Sequence, residues 1–266
     1  MKIGKKVFDT KNNCYVIGIL NVTPDSFTDG GLYNSLDKAL KRVELMIKNG
    51  VDIIDVGGIS TKPGFTEITA QEEIDRVSPV LENIRKNFDV VVSLDTYRSK
   101  VLKSTVHLVD MINDIYGFKR DKELPKMAHK YKLPCILMHN SEVVYENFWE
   151  KFIISMTESI DIAILNDVTD IILDAGFGFN KTYTQNLMLL NKTKEILDLG
   201  YPVIISTSKK GTLSKIATNR ATATLATTAF GVMNGASFVR VHDVGENLDI
   251  IKTIKSIIKE KIWTKV

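Results

Sequence analysis

The sequence predicts a closed (β/α)8 barrel, and three observations carry that prediction. Eight short apolar, β-branched runs alternate with eight amphipathic helical patterns over 266 residues, and alternating βα units imply a parallel sheet with right-handed crossovers. Nearly every apolar run ends abruptly in polar or charged residues, as barrel strands do at the rim where βα loops build a site. The first βα turn, Asn21-Val-Thr-Pro-Asp-Ser-Phe, carries no glycine fingerprint for a dinucleotide. That counts against the doubly wound open sheet, the other fold an alternating chain can adopt.

The elements follow in order. Tyr15–Leu20 reads as the first strand, an apolar run of the kind buried on both faces. The helical pattern Leu36–Lys48 places Leu36, Ala39, Leu40, Val43 and Ile47 on one face. Asn34-Ser35 before it supplies a start signal. Asp52–Val56 is the second strand, followed by the helical Ala70–Arg85. Val90–Leu94 and Ser99–His107 form the third unit, Val109–Ile112 and Glu123–Tyr131 the fourth. Pro134–Met138 with a long helix near Glu146–Leu165 makes the fifth, and Asp170–Leu173 with Thr184–Leu199 the sixth, closed by Gly200. Val203–Ile205 with Asn219–Asn234, and Ser237–Val241 with Asn247–Lys259, complete eight units with no element left over. No linker interrupts the series, so residues 1–266 read as one domain.

Composition narrows the function class. Hydrophobic residues make up 44% and charged residues 25%, as in an ordinary globular protein with a sizeable core. A net charge of +3, without a basic run, does not suggest a nucleic-acid partner. Residues 1–13 are polar and charged, unlike a signal peptide. No apolar stretch has the length of a membrane span. Cys14 and Cys135 read as two buried thiols in a reducing cytoplasm, and no Cys/His spacing suggests zinc.

The residues at the strand ends are the informative ones. The first strand ends in Asn21, the second in a Gly57-Gly58-Ile59-Ser60-Thr61-Lys62-Pro63-Gly64 loop, the third in Asp95 and the fourth in Asn113-Asp114. The fifth ends in His139-Asn140, the sixth in Asp174 with Phe179 and Lys181 beyond it, the seventh in Lys209-Lys210-Gly211 and the eighth in Arg240 and His242. Asp95, Asn113 and Asp174 come from three strands and would converge in the mouth. A carboxylate accepts two parallel N–H bonds and an amide offers one donor and one acceptor, so the trio suits the edge of a pterin or guanine ring. Lys209, Lys210, Arg240 and His242 on the opposite arc, with Ser60 and Thr61, suit a phosphate or diphosphate. Asp114 and Asp243 read instead as caps.

These motifs resemble those of the dihydropteroate synthase family. Asn21-Val-Thr-Pro-Asp-Ser-Phe-Thr-Asp-Gly-Gly is similar to its first signature and Asp55-Val-Gly-Gly-Ile-Ser-Thr-Lys-Pro-Gly to its second. Ser93-Leu-Asp-Thr, Ile112-Asn-Asp-Ile, Leu137-Met-His, Asp174-Ala-Gly-Phe-Gly-Phe, Ser208-Lys-Lys and Arg240-Val-His-Asp-Val follow in the family's order along the whole chain. The resemblance implies a pterin-binding (β/α)8 barrel of folate biosynthesis. It would condense 6-hydroxymethyl-7,8-dihydropterin diphosphate with 4-aminobenzoate to 7,8-dihydropteroate, with Mg²⁺ as cofactor. Carried over by motif, Asp95, Asn113, Asp174 and Lys210 would hold the pterin, with Asp95, Asp174 and Lys210 acting in catalysis. Asn21 would bind the Mg²⁺–diphosphate, and Thr61, Lys62, Arg240 and His242 the diphosphate. Thr61, Pro63, Phe179 and Gly211 would border the aminobenzoate. The resemblance also implies a cytoplasmic homodimer.

Five positions depart from the family pattern: Ile59 stands for Glu, Lys62 for Arg, Ala175 for Pro, Gly211 for Ser, and Asn140 for the residue after Met-His. They fall on the diphosphate and aminobenzoate side, while Asp95, Asn113, Asp174, Arg240 and His242 are retained. A pterin-binding paralogue without synthase activity and a pterin-dependent methyltransferase therefore remain the alternatives at this point.

Overall fold

The computed structural model describes residues 1–22, 31–59, 67–141 and 146–263. A two-stranded antiparallel hairpin, β1 (Lys2–Ile3) and β2 (Lys6–Val7), comes first. Eight parallel strands follow: β3 (Tyr15–Asn21), β4 (Ile53–Gly57), β5 (Val91–Asp95), β6 (Met111–Asp114), β7 (Cys135–Met138), β8 (Ile171–Asp174), β9 (Val203–Ile205) and β10 (Phe238–Val241). They pair in chain order, and β10 returns to pair with β3, so the barrel closes. The outer layer is α1 (Gly31–Lys48), α2 (Ala70–Asn87), α3 (Ser99–Thr105), α4 (Glu123–Tyr131), α5 (Phe148–Leu165), α6 (Tyr183–Asn191), α7 (Thr193–Leu197), α8 (Arg220–Met233) and α9 (Val244–Trp263).

Strand alternation explains the layers. Successive side chains on a strand face opposite sides. The outward set includes Val16, Ile54, Val92, Ile112, Leu137, Leu173, Val203 and Val239, which share one buried cluster with helix residues such as Val43, Leu81, Leu102 and Phe152. The inward set begins with Ile17, Ile53, Val91, Met111, Ile136, Ile172, Ile204 and Phe238, one from each barrel strand, in a separate buried cluster. Ile3 and Phe8 belong to that same cluster, so the N-terminal hairpin plugs the bottom of the barrel. Two residues further along each strand, on the same inward side, stand Ile19, Asp55, Ser93, Asn113, Met138, Asp174, Ser206 and Arg240. An apolar floor thus carries a mostly polar layer directly above it.

The structure departs from the sequence reading in four places. The first helix starts at Gly31, so Asn34-Ser35 lies inside α1 rather than ahead of it. The hairpin is an additional element, too short and too charged at Lys2, Lys5 and Lys6 to register as strands. The sixth helical pattern is two helices, α6 and α7, separated at Lys192. The third helix ends at Thr105, and Val106–Leu108 tightens into a 3-10 turn. Local signals hold elsewhere. Thr69 and Glu72 form a reciprocal capping box on α2, and Thr182 and Gln185 form one on α6. Gly200 has a φ of +90°, the left-handed conformation that ends the sixth unit. Cys14 and Cys135 are both free and buried. No described helix is long and apolar enough to cross a membrane.

Candidate active site

The polar inward layer opens toward the C-terminal rim of the barrel, and its side chains hold one another in place. Arg240 on β10 is the hub. Its Nε donates to Asp55 Oδ2 at 2.6 Å and its Nη2 to Asp95 Oδ2 at 2.6 Å. Asn113 Nδ2 donates to the same Asp55 oxygen at 3.0 Å. Burial works against the guanidinium charge, but the two carboxylates outweigh it and raise its pKa. Asp95 moves up to about 7, chiefly by burial, with Arg240 opposing that rise and Asp55 and Glu73 adding to it. The register explains the geometry: Asp55 pairs with Ser93 and Gly57 with Asp95, so Asp95 sits one inward step nearer the rim than Asp55.

Asp174, on the opposite wall, is fixed by a hydroxyl and an amide. Ser206 Oγ donates to its Oδ2 at 2.7 Å and the Gly176 N–H to its Oδ1 at 2.7 Å. Gly176 has a φ of +68°, and a Cβ there would lie 2.0 Å from the His139 carbonyl oxygen, so only glycine fits this turn. Lys210, after β9, places its Nζ 4.0 Å from the centre of the Phe179 ring. Burial lowers the Lys210 ammonium to about 8, and Arg240 pushes the same way. Lys181 donates to the carbonyls of His139, Gly176 and Phe179 at 3.1, 2.9 and 3.0 Å. It ties the loop after β8 to the end of β7.

His242 lies beside this group. Its backbone N–H donates to Ser208 Oγ at 3.1 Å, and its Nδ1 is 2.9 Å from that same hydroxyl. Arg42 on α1 donates to the His242 carbonyl. Burial, with Lys209 and Arg240, lowers the His242 imidazole to about 4, so the ring is neutral at physiological pH. Lys209 is more exposed and pairs with Asp243 at 2.8 Å.

The structure brings together Asp95, Asn113, Asp174, Lys210, Phe179, Arg240 and His242. Asn21 ends β3 in register with Gly57. Thr61, Lys62 and Pro63 lie outside the described residues, as does most of the first loop signature. Gly211 opens a 3-10 turn, and a Cβ there would meet open space. Ile59 is buried with Tyr97, Ile115 and Met138, and Phe179 packs against that cluster, so the rim beside Asp95 carries an apolar lip. Asn140 accepts from Asn180 at 3.2 Å. Asp114 caps a turn, accepting from the Tyr116 and Phe118 N–H groups at 2.8 and 2.7 Å. His139 alternates outward and packs against Phe148 and Phe152 of α5.

The sequence reading missed Asp55. It sits in the middle of an apolar strand rather than at its end, with a side chain 0% exposed. A carboxylate inside the run Ile53–Gly57 was the available signal, because a buried charge persists only with partners. The separate pterin and phosphate arcs expected from the strand ends are also not separate: Arg240 joins Asp95 to Asp55, and Asp55 joins both to Asn113.

Comparison with known proteins agrees with this geometry. Residues 17–242 match the model of a family described as pterin binding enzyme. A dihydropteroate synthase of Clostridium beijerinckii is 47% identical over 97% of this chain and 100% of its own length. A dihydropteroate synthase of Clostridium difficile, crystallised in the presence of pteroic acid, superposes with a TM-score of 0.91 at 38% identity, covering 94% of this chain and 99% of that one. The Xanthomonas albilineans enzyme, solved with 4-aminobenzoic acid, superposes with a TM-score of 0.88 at 28% identity, over 92% of this chain and 93% of that one. With its closed barrel, polar inward layer and full-length likeness, the chain belongs to the dihydropteroate synthase family of pterin-binding enzymes.

Proposed function

We infer that the polar layer binds a dihydropterin diphosphate and that the protein joins its methylene carbon to the amine of 4-aminobenzoate, as a dihydropteroate synthase. The observation that carries the residue-level reading is the placement of two carboxylates and an amide, Asp95, Asp174 and Asn113, on the inward face of the barrel above an apolar floor. Asp174 keeps acceptor capacity beyond its two internal bonds, and a paired carboxylate edge matches the N–H donors of the aminopyrimidine ring. Asn113 and Asp95 take the other side of that ring. Lys210 supplies a cation to a ring oxygen or nitrogen.

The reaction breaks the bond between the methylene carbon and the bridging oxygen and forms a carbon–nitrogen bond. The diphosphate leaves with the electron pair, and the arylamine nitrogen attacks and then loses a proton. Positive charge develops on the pterin methylene, and the nearby Asp95 and Asp174 carboxylates stabilise it. The leaving diphosphate carries negative charge, which Arg240 and the neutral His242 ring meet by hydrogen bonding. The arylamine is nucleophilic as it stands, so the chain needs no strong base beside it. Phe179 and the Lys210-Gly211 turn border the space the aminobenzoate ring would take, and Thr61, Lys62 and Pro63 complete this assignment from the sequence.

Mg²⁺ belongs to the same proposal. Its ligands are hard oxygens, and in phosphate sites one or two protein groups suffice because the substrate supplies the rest. The Asn21 side-chain oxygen suits that role, and the described residues contain no cluster of three or more His, Cys, Asp or Glu that would form a dedicated metal cage. The ion would neutralise charge on the departing diphosphate.

We also propose that two copies pair through helices of the barrel wall. Ile216, Phe230 and Met233 are 53%, 41% and 59% exposed on or beside α8, an apolar face that association would cover. Light scattering on a sizing column tests this; a monomer at micromolar concentration would refute it. Cytoplasmic location follows from the same reading and is supported by the two free thiols.

The activity is tested by incubating the purified protein with the pterin diphosphate, 4-aminobenzoate and Mg²⁺ and separating the products chromatographically. Dihydropteroate that disappears on chelation of Mg²⁺ is the expected result. Tight pterin binding without product would overturn the synthase reading.

A further inference from the structure

Asp55 is not among the residues that the strand ends single out, yet two of those residues converge on it. One oxygen accepts from Arg240 Nε at 2.6 Å and from Asn113 Nδ2 at 3.0 Å. Its side chain is 0% exposed and lies one inward step below Asp95, so its effect on a substrate passes through the groups it holds. Asp95 has two demands on it. It accepts from Arg240 Nη2 at 2.6 Å, and as a pterin ligand it also accepts from the substrate ring. An arginine held by a single carboxylate can swing about that bond. Held at Nε by one carboxylate and at Nη2 by another, its plane is fixed.

The second Asp55 oxygen is buried without a partner among the described residues. A half-satisfied buried carboxylate is costly, and replacing such a buried ion pair as a whole with apolar side chains is often neutral or stabilising. Ile19, its register neighbour on β3, shows that this layer accepts an apolar side chain. Packing alone therefore does not account for an aspartate at this position.

We propose that Asp55 is a positioning residue for the condensation: it holds the Arg240 plane and the Asn113 amide as one unit, so that Asp95 can turn to the substrate ring without releasing the guanidinium. The proposal rests on the synthase reading and deepens it. It assigns different work to two carboxylates that share an arginine.

The test compares wild type with Asp55→Asn, which keeps the side-chain shape and removes the charge. The readouts are kcat, KM for each substrate, and the pH profile of kcat/KM. The groups facing Asp95 are Arg240 from β10, Asp55 from β4, Glu73 from α2 and Lys210 beyond β9. Losing the like charge of Asp55 lets Asp95 stay ionised to lower pH, so the acid limb of the profile shifts down. The expected result is a kcat lower by about 10²-fold, the size of effect a misplaced group produces. KM for 4-aminobenzoate should be largely unchanged and the acid limb displaced to lower pH. A purely structural role would lower the folded fraction and leave kcat per folded molecule unchanged. Full kcat per folded molecule overturns the proposal while leaving the synthase reading intact. Wild type that makes no dihydropteroate overturns both. Should Asp55→Asn fail to fold, Asp55→Glu keeps the charge and displaces its oxygens by one methylene. A lowered kcat with an unmoved limb then supports positioning, and full kcat refutes it.

Discussion

Replacing Arg240 with methionine should destabilise the fold in a strongly pH-dependent way. The guanidinium is 15% exposed and bonds two carboxylates at 2.6 Å each, one on a side chain 0% exposed and the other 11%. Methionine fills similar volume, so the loss is electrostatic rather than a cavity. Removing one partner of a buried ion pair costs about 3–5 kcal/mol, because the remaining charge is stranded. Here two like charges are stranded together, and the Asp95 pKa, already up at about 7, loses its principal lowering influence and rises further. Regained protonation of Lys210, which Arg240 otherwise suppresses, offsets part of the loss.

The sign follows from linkage. A carboxyl whose folded pKa lies above its unfolded value binds more protons in the folded state, so stability falls as pH rises between the two values. For wild type that window runs from 3.8 to about 7, and in the variant it extends upward. Urea denaturation of both proteins at pH 5.5 and pH 8 measures the effect. The stability difference should be about 3–5 kcal/mol at pH 8 and clearly smaller at pH 5.5, where a proton can occupy the stranded pair. A difference below about 1 kcal/mol at pH 8, as for an exposed pair, or one independent of pH, would refute the assignment of Arg240 as the hub.

Three further outcomes follow. Asp174→Asn should weaken binding of the free pterin by about 10- to 100-fold, since a charged hydrogen bond contributes about 1.5–3 kcal/mol. Calorimetry with 6-hydroxymethylpterin checks this, and unchanged affinity would remove Asp174 from the ring-binding set. Phe8→Ala should cost about 3–5 kcal/mol in urea denaturation, because Phe8 is 2% exposed and packs on the barrel floor. A loss under about 1 kcal/mol would mean the hairpin is not a plug. Gly211→Ala should raise stability by about 0.4–1 kcal/mol, because its φ is not left-handed and a Cβ meets open space. Thermal melting checks that sign, and a lowered Tm would show that this turn needs glycine.

The barrel was legible because its strands are apolar on both faces and its helices are amphipathic, two periods that do not overlap. Strand boundaries agree to within a residue or two because polar side chains begin where the buried surface stops. The hairpin was not legible: Lys2–Ile3 and Lys6–Val7 are two residues each, and of these four only Ile3 is buried, by plugging the barrel rather than by a local pattern. The break between α6 and α7 at Lys192 carries no glycine or proline to announce it. At the site, Asp95, Asn113 and Asp174 stood out because they end strands. Asp55 did not, since it lies inside its strand rather than at its end and its importance comes from Arg240, far away in sequence. The outward turn of His139 was hidden for the related reason that a strand end alone does not say which face the last residue takes. Counting inward positions by twos from the apolar floor would have recovered both.

Diphosphate release from the purified protein, supplied with Mg²⁺ and the pterin diphosphate with and without 4-aminobenzoate, tests the central claim most directly. The account predicts that each diphosphate released in the presence of 4-aminobenzoate is matched by one molecule of dihydropteroate. Release without that product, or no release while the pterin is bound, would contradict it and leave the polar layer a pterin-binding site without the condensation.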